Sequence, residues 1–330
     1  VRVVALVHWY VPFHNAGSET MLHTLLRALA DAGHDPHVVT TSQAEGEPEY
    51  EHEGITVHRA GARGGTVPEL LDRLAPRALV THHQETPHAT HYGRTRGVPV
   101  VQVIHNEMRH TQLWLRKRPA LAVYNTRWVA AALERFRVPG IVVHPPVWPD
   151  EHRTVPGDRV TLINLNEHKG GRLLYDLAAQ APDVPFAGVI GGHGEQAVRW
   201  DVANVEIIPH TAHMRRDVWA RTRLLIMPSV YESYGMVAVE AMSSGIPVIA
   251  APTPGLLESL SWAAGAFVHR DDSAGWLAAI RSLTVPDRWR AASAATRERV
   301  AQLDPRPELA AWVTAMERLE GEGRGLRDRR

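Results

Sequence analysis

The chain has 330 residues, 36 basic and 36 acidic side chains, 44% hydrophobic residues and no cysteine. Balanced charge argues against a surface built to hold nucleic acid, and without cysteine there are no disulfides, thiolate metal sites or cysteine chemistry. The length exceeds what one hydrophobic core usually holds, which favours two α/β domains; no apolar run is long enough to span a bilayer, so a soluble or at most peripheral protein is expected, and the lack of cysteine is compatible with a cytoplasmic enzyme.

The opening run Val1–His8 is too short for the apolar region of a signal peptide and reads as a strand. Gly17–Ala32 follows as a helix, with Met21, Leu22, Leu25, Leu26 and Leu29 at helical spacing and Gly33 as its stop. Strands are then predicted at His37–Thr41, Ile55–Arg59, Ala78–Thr81, Val98–His105, Ala120–Tyr124 and Ile141–His144. Helices are predicted between them at Val67–Ala75, Glu85–Arg96 and Thr126–Phe136. Such alternation implies a parallel sheet with right-handed crossovers. Pro145, Pro146, Pro149, Pro156 and Gly157 mark a linker. The alternation then restarts. Strands are predicted at Val160–Asn164, Phe186–Ile190, Val205–Ile208, Leu224–Met227, Val248–Ala250 and Ala266–Val268, with helices at Gly170–Gln180, Tyr234–Ser244 and Ser273–Leu283. Helices near Pro286–Leu303 and Glu308–Glu320 close the pattern, and the Gly- and charge-rich segment 321–330 is expected to be disordered.

In open α/β sheets, ligands sit beyond the carboxyl ends of the strands. Histidines crowd those positions in the first half: His8, His82, His83 and His105. Imidazoles suit phosphate, hydroxyl and proton-transfer contacts near neutral pH, although histidine is also simply abundant here. The group His82, His83, His88 and His91 fits no standard ligand spacing, so no metal is expected. In the second half, Lys169 stands just before a helix, where an ammonium beside free helix amides balances a diphosphate; the alternative is a surface lysine. Glu240 lies inside a helix otherwise built of Val, Ala and Met. A carboxylate in that setting is costly unless paired. A ribose cis-diol would supply two hydroxyl donors; a solvent-facing glutamate or an arginine partner are the alternatives.

The segment Pro228–Pro247 carries Pro-Ser-x-x-Glu-Ser-Tyr-Gly, Val-Glu-Ala-Met and Gly-x-Pro. It resembles the Glu-x7-Glu signature of the retaining GT-B glycosyltransferases of family 4, with Glu232 and Glu240 as the two glutamates. Pro254-Gly255 through Glu258 resembles the family's Gly-x-x-Glu element, Lys169-Gly170 its Lys-Gly, and Gly191-Gly192-His193-Gly194 its Gly-x-Gly loop. Ala16-Gly17-Ser18-Glu19 is similar to its Gly-Gly-x-Glu loop, and His105 to the histidine after the fifth strand.

The resemblance implies two Rossmann-like domains, residues 1–148 facing the acceptor and 149–305 holding the donor, with parallel sheets facing across a cleft. A C-terminal helix near 306–320 would pack back on the first. It implies transfer of a sugar from a nucleotide-diphosphate donor to an unknown acceptor with retained configuration, and no metal or other cofactor. Glu240 would bind the donor ribose. Glu232 and Ser233, with the amides of Tyr234, Gly235 and Met236, would hold the donor sugar and diphosphate. Lys169 would neutralise the diphosphate, with Asn164 and Gly192 beside it and Gly17 keeping the first-domain loop near the phosphates. His105 would contact the transferred sugar or assist at the reacting face. Where the family has Gly-Arg ahead of its lysine, this chain has Ile163-Asn164; Arg172, Arg215 or Arg216 could stand in. A catalytically silent sugar-nucleotide-binding protein is the alternative. Leu113–Arg118 mixes apolar and basic residues and would suit an anionic membrane, but an ordinary basic loop is the favoured reading.

Overall fold

The computed structural model describes residues 1–61, 65–192 and 194–327, with side chains described to residue 319. The chain divides into two compact units, Val1–Pro146 together with the segment from Pro305 onward, and Val147–Asp304.

In the first unit the order is β1 Arg2–Val7, α1 Gly17–Asp31, β2 Asp35–Thr40, β3 Glu49–His52, β4 Ile55–Arg59, α2 Val67–Leu74, β5 Ala78–Thr81, α3 Thr86–Arg96, β6 Val100–Ile104, α4 Arg109–Leu115, β7 Leu121–Tyr124, α5 Arg127–Leu133 and β8 Gly140–Val142. The sheet runs β3-β4-β2-β1-β5-β6-β7-β8, parallel except for β3. β1 is fully apolar and buried from Val3 to Val7 because helices cover both faces of a parallel sheet. The apolar stripe of α1 (Met21, Leu22, Leu25, Leu26, Leu29) is buried as its spacing demands.

The second unit contains α6 Pro149–His152, β9 Arg159–Ile163, α7 Gly171–Gln180, β10 Phe186–Val189, β11 Val205–Ile208, β12 Thr222–Met227, α8 Met236–Ser243, β13 Val248–Ala250, α9 Pro254–Ala264, β14 Gly265–Phe267, α10 Ser273–Thr284 and α11 Pro286–Ala301. Its strands run β11-β10-β9-β12-β13-β14, all parallel. One face of the sheet packs with Trp219, Met242, Leu256 and Leu260, the other with Leu174, Leu177, Trp276 and Ile280. Each such side chain contributes roughly 1.5–3 kcal/mol on burial. Both sheets share the doubly wound order, in which the chain reverses direction between the first and fourth parallel strands. The switch falls between β1 and β5 in one unit and between β9 and β12 in the other.

The last helix, α12 Arg306–Arg327, returns to the first unit. Trp312 is fully buried, and its Nε1 donates to the Leu25 carbonyl of α1 at 2.9 Å. The Glu308 carboxylate accepts from the His144 backbone amide at 2.7 Å and meets His144 Nδ1 at 2.8 Å. Residues 321–327, expected to lack structure, continue this helix as far as Arg327, since extending an established helix costs far less than starting one. Residues 328–330 lie outside the described residues.

Four further elements escaped the sequence reading. β3 is a polar edge strand without apolar alternation, joined to β4 by Glu53-Gly54, both with positive φ (46° and 79°), as hairpin turns require. α4 follows Met108, and α6 is a single turn begun by Pro149 inside the expected linker. α9, capped by the Thr253 hydroxyl and begun by Pro254, is apolar nearly all round and so lacks the periodicity that betrays a helix.

Candidate active site

The loops leaving β9 and β12 meet on either side of the switch point of the second unit. β9 ends at Ile163, and Asn164 takes a left-handed backbone (φ 69°). Its Oδ1 accepts from Gln196 Nε2 at 2.9 Å, while Gln196 Oε1 accepts from the amides of Leu165 (2.9 Å) and Gly191 (2.8 Å). Asn164 and Gln196 thus tie the β9 loop to the Gly191-Gly192 loop. Asn166 caps the turn Glu167–Lys169 by accepting from the Lys169 amide at 2.9 Å. Gly170 then turns with φ 98°, and a Cβ there would stand 2.4 Å from Pro228 Cγ. Only glycine lets the lysine-bearing loop lie this close to the β12 loop.

Lys169 Nζ donates to Glu232 Oε1, and Ser229 Oγ donates to the same oxygen at 2.9 Å. Both charged side chains are largely sheltered, Glu232 more than Lys169. The two loops are also joined by the Val230 amide, which donates to the His168 carbonyl at 2.9 Å. Gly235 (φ 86°) opens α8. Behind it, Gly255 of α9 packs so tightly that a Cβ would fall 2.3–2.5 Å from the backbone of Glu232 and Ser233. Ser233 and Met236 are half-buried, whereas Tyr234 belongs to the core, 3% exposed.

Glu240 sits one turn into α8, its side chain 14% exposed. Burial pushes its carboxyl up to about 7. The basic group nearest it is His152 of α6, 3.8 Å away, which burial holds down to about 4. Neither an arginine partner nor a solvent-facing position describes this carboxyl, among the described residues. It is reachable and incompletely paired.

In the first unit, His8 follows β1, His82 and His83 follow β5, and His105 follows β6. His82 Nδ1 lies 3.1 Å from His105 Nε2, and the His83 ring packs 4.5 Å from that of His82 and 5.0 Å from that of His105. Burial holds His82 and His105 well below the usual imidazole range and His83 down to about 4, with neighbouring histidines adding to the effect; His8 is lowered by burial too. These imidazoles are neutral at physiological pH. His88 does not join them: it is exposed and pairs with Glu85 at 2.8 Å. Gly17 is the exposed first residue of α1. The cap position belongs to Ala16, and Ser18 instead donates to Glu19 Oε2 at 2.8 Å.

Sequence reasoning missed Ser229, Gln196 and Arg270. Arg270 lies beyond β14, and its guanidinium donates to the carbonyls of Pro228, Glu167 and His168, the last at 3.2 Å. It clamps both loops of the Lys169–Glu232 pair. No motif marks it, because its partners are mainly backbone atoms that any sequence supplies, with the Glu167 carboxylate beside them at 3.3 Å. Of the cations considered as stand-ins for the family's arginine, Arg172 pairs with Glu167 (3.5 Å) and Arg216 with Asp217 (2.7 Å), both on the surface. His193 lies outside the described residues. Leu113 of the apolar-basic segment is exposed while Leu115 is buried, and among the described residues no helix is long and apolar enough to cross a membrane.

Known proteins match this arrangement. A family model described as glycosyl transferases group 1 matches residues 164–284, and one described as a glycosyl transferase 4-like domain matches 16–136. The chain is 24% identical to a D-inositol 3-phosphate glycosyltransferase of Arthrobacter sp. over 81% of either chain, and 25% identical to that of Pseudarthrobacter chlorophenolicus over 86% of this chain and 87% of the relative. Among solved structures, sucrose-phosphate synthase from Thermosynechococcus elongatus superposes with a TM-score of 0.76 at 18% identity, covering 98% of this chain and 99% of that one. HepE of Anabaena in complex with UDP-glucose gives 0.76 at 17% identity, covering 96% and 99%. Two doubly wound units, each matched by its own glycosyltransferase family model and together sharing their fold with GT-B enzymes over nearly the whole chain, place this protein in family 4 of the group 1 glycosyltransferases.

Proposed function

We propose that this glycosyltransferase takes a sugar from a nucleoside-diphosphate donor, delivers it to an acceptor hydroxyl with retention of anomeric configuration, and needs no metal to do so. The observation that carries the reading is Glu240: a sheltered yet reachable carboxyl, raised to about 7 by burial, with no arginine partner among the described residues. A ribose cis-diol completes it, since two hydroxyl donors stabilise the carboxylate that burial disfavours.

Lys169 and the amides opening α8 supply positive potential for the diphosphate, so a divalent ion has no required place. Donor binding exchanges part of the Lys169–Glu232 pairing for contacts with phosphate and sugar, leaving Glu232 to orient the sugar. His105, neutral, is suited to donate or accept a hydrogen bond at a sugar hydroxyl. Catalysis on this reading is positioning plus stabilisation of charge on the leaving diphosphate. That diphosphate takes the acceptor proton on the same face it leaves, so no separate protein base is needed.

The test is a thermal-shift screen of nucleotide sugars, led by uridine donors because the HepE neighbour is in complex with UDP-glucose. A donor that raises the melting temperature of the wild type should fail to do so for Glu240→Ala. Anomeric NMR of the product with D-inositol 3-phosphate and other polyols then reads acceptor and stereochemistry. A shift retained in full by Glu240→Ala overturns the site assignment, and binding without turnover on any acceptor or water leaves the silent-binder alternative.

A further inference from the structure

The carboxyl edge of the first sheet gathers more imidazole than sugar contact by one histidine requires. One nitrogen from each of His82, His83 and His105 lies within 4.8 Å of the other two. The 3.1 Å between His82 Nδ1 and His105 Nε2 is close to the roughly 3.3 Å that separates two imidazole nitrogens bound to one tetrahedral ion at about 2.0–2.1 Å each. Successive residues of a strand point to opposite faces, yet His82 and His83 share this cluster. The left-handed backbone of His83 (φ 51°) ends the extended run and allows its ring to join the other two.

The ring contacts alone do not account for the whole cluster. His82 is fully buried, and its Nε2 has no hydrogen-bond partner; His8 Nδ1, buried beside it with ring centroids 5.8 Å apart, has none either. Leaving such buried polar atoms unmatched costs about 1–3 kcal/mol apiece. An ion held through His82 Nδ1 leaves both atoms as they are, so they mark a poorly satisfied cluster and are not themselves ligands.

We propose that His82, His83 and His105 form a three-imidazole site for a divalent transition-metal ion of the zinc and cobalt class. Imidazole nitrogens suit such borderline ions, while magnesium and calcium take oxygen ligands and are not expected here. The site is independent of the donor reading. One consequence does rest on that reading: an ion on His105 engages the side chain assigned to the sugar, so bound metal opposes transfer.

Cobalt(II) is the probe, because nitrogen-ligated four- or five-coordinate Co2+ absorbs visibly where the aqua ion scarcely does. The full chain is titrated with Co2+, then with Zn2+ and Mg2+ as competitors. Saturable binding of one ion is expected, displaced by Zn2+ and not by Mg2+. His83→Ala and His105→Gln should each weaken it by at least about tenfold. Melting curves without metal establish that these variants fold; His83, only half-buried, is the safer of the two. The other group of possible ligands, His23, His52 and Glu53, is controlled by His23→Ala, which should leave binding unchanged. Absence of the absorption, wild-type binding in folded His83→Ala, or loss of binding in His23→Ala would each overturn the proposal.

Discussion

The two switch points are built on one topology and furnished with opposite chemistry. Beyond β9 and β12 stand a lysine and a glutamate in direct contact, held by glycines so close to the Pro228 ring and to the backbone of Glu232 and Ser233 that no Cβ fits. Beyond β1, β5 and β6 stand imidazoles kept neutral by burial, two of them with an unmatched nitrogen. On the proposed reading, the first takes a charged ligand whose phosphates would replace part of an existing ion pair. The second suits uncharged hydroxyl groups or the proposed metal ion. Topology determines where ligands collect in both units; side-chain charge determines which kind.

The sharpest way to break this contrast is to remove the cation. Lys169→Ala should lower kcat/KM by roughly 10²–10³-fold, the cost of losing one group aimed at developing charge. His83→Ala, which removes no charge, should lower it by less than about tenfold, the low end of what a positioned side chain contributes. Steady-state kinetics on the best donor from the screen decides it. Equal losses in the two variants would mean that the units do not divide the work by charge.

A smaller effect probes how the charged site is held. Arg270 touches the loops of Lys169 and Glu232 through carbonyls of Pro228, Glu167 and His168. Arg270→Ala should release both loops and lower kcat/KM by up to about 10²-fold through misplacement. Arg270→Lys, which keeps the charge and loses the planar fork, should restore only part of it. If charge alone mattered, the lysine variant would recover fully, and Arg270 would not be a positioning residue.

The sequence displayed the charged site far better than the neutral one, for physical reasons. Glu240 was legible because a carboxyl within Val, Ala and Met contradicts its surroundings, and Lys169 because it precedes a helix. The parallel strands were legible as apolar runs, since both faces of such a sheet are covered. β3 was not, because an edge strand with half-exposed polar residues carries no such run, and α9 was not, because it is apolar all round. The edge position of His82, His83 and His105 was legible from the strand ends, but the meeting of their rings was not, because His82–His83 and His105 follow different strands and no local spacing encodes it; His88, near them in sequence, pairs with Glu85 instead. Arg270 escaped because it binds mainly backbone.

The last and smallest effect follows from protons. Glu240 titrates at about 7 in the folded chain against an ordinary 4.5. Its neutral form favours folding, and that contribution is fully present below about pH 4.5 and is lost as pH rises through about 7. His152 has the opposite shift, down to about 4 from 6.5, so its contribution is gained as pH rises through that window and is constant above it. Ribose hydroxyls donate to the ionised carboxyl, so donor binding should release a proton and tighten as pH rises, by up to about tenfold between pH 6 and pH 8. Calorimetry in buffers of different ionisation enthalpy measures both quantities at once. Glu240→Gln should bind weakly and show neither proton release nor pH dependence in this range. Donor affinity that falls with rising pH, or proton release that persists in Glu240→Gln, would move the titrating group elsewhere and remove the reason for a glutamate in the apolar face of α8.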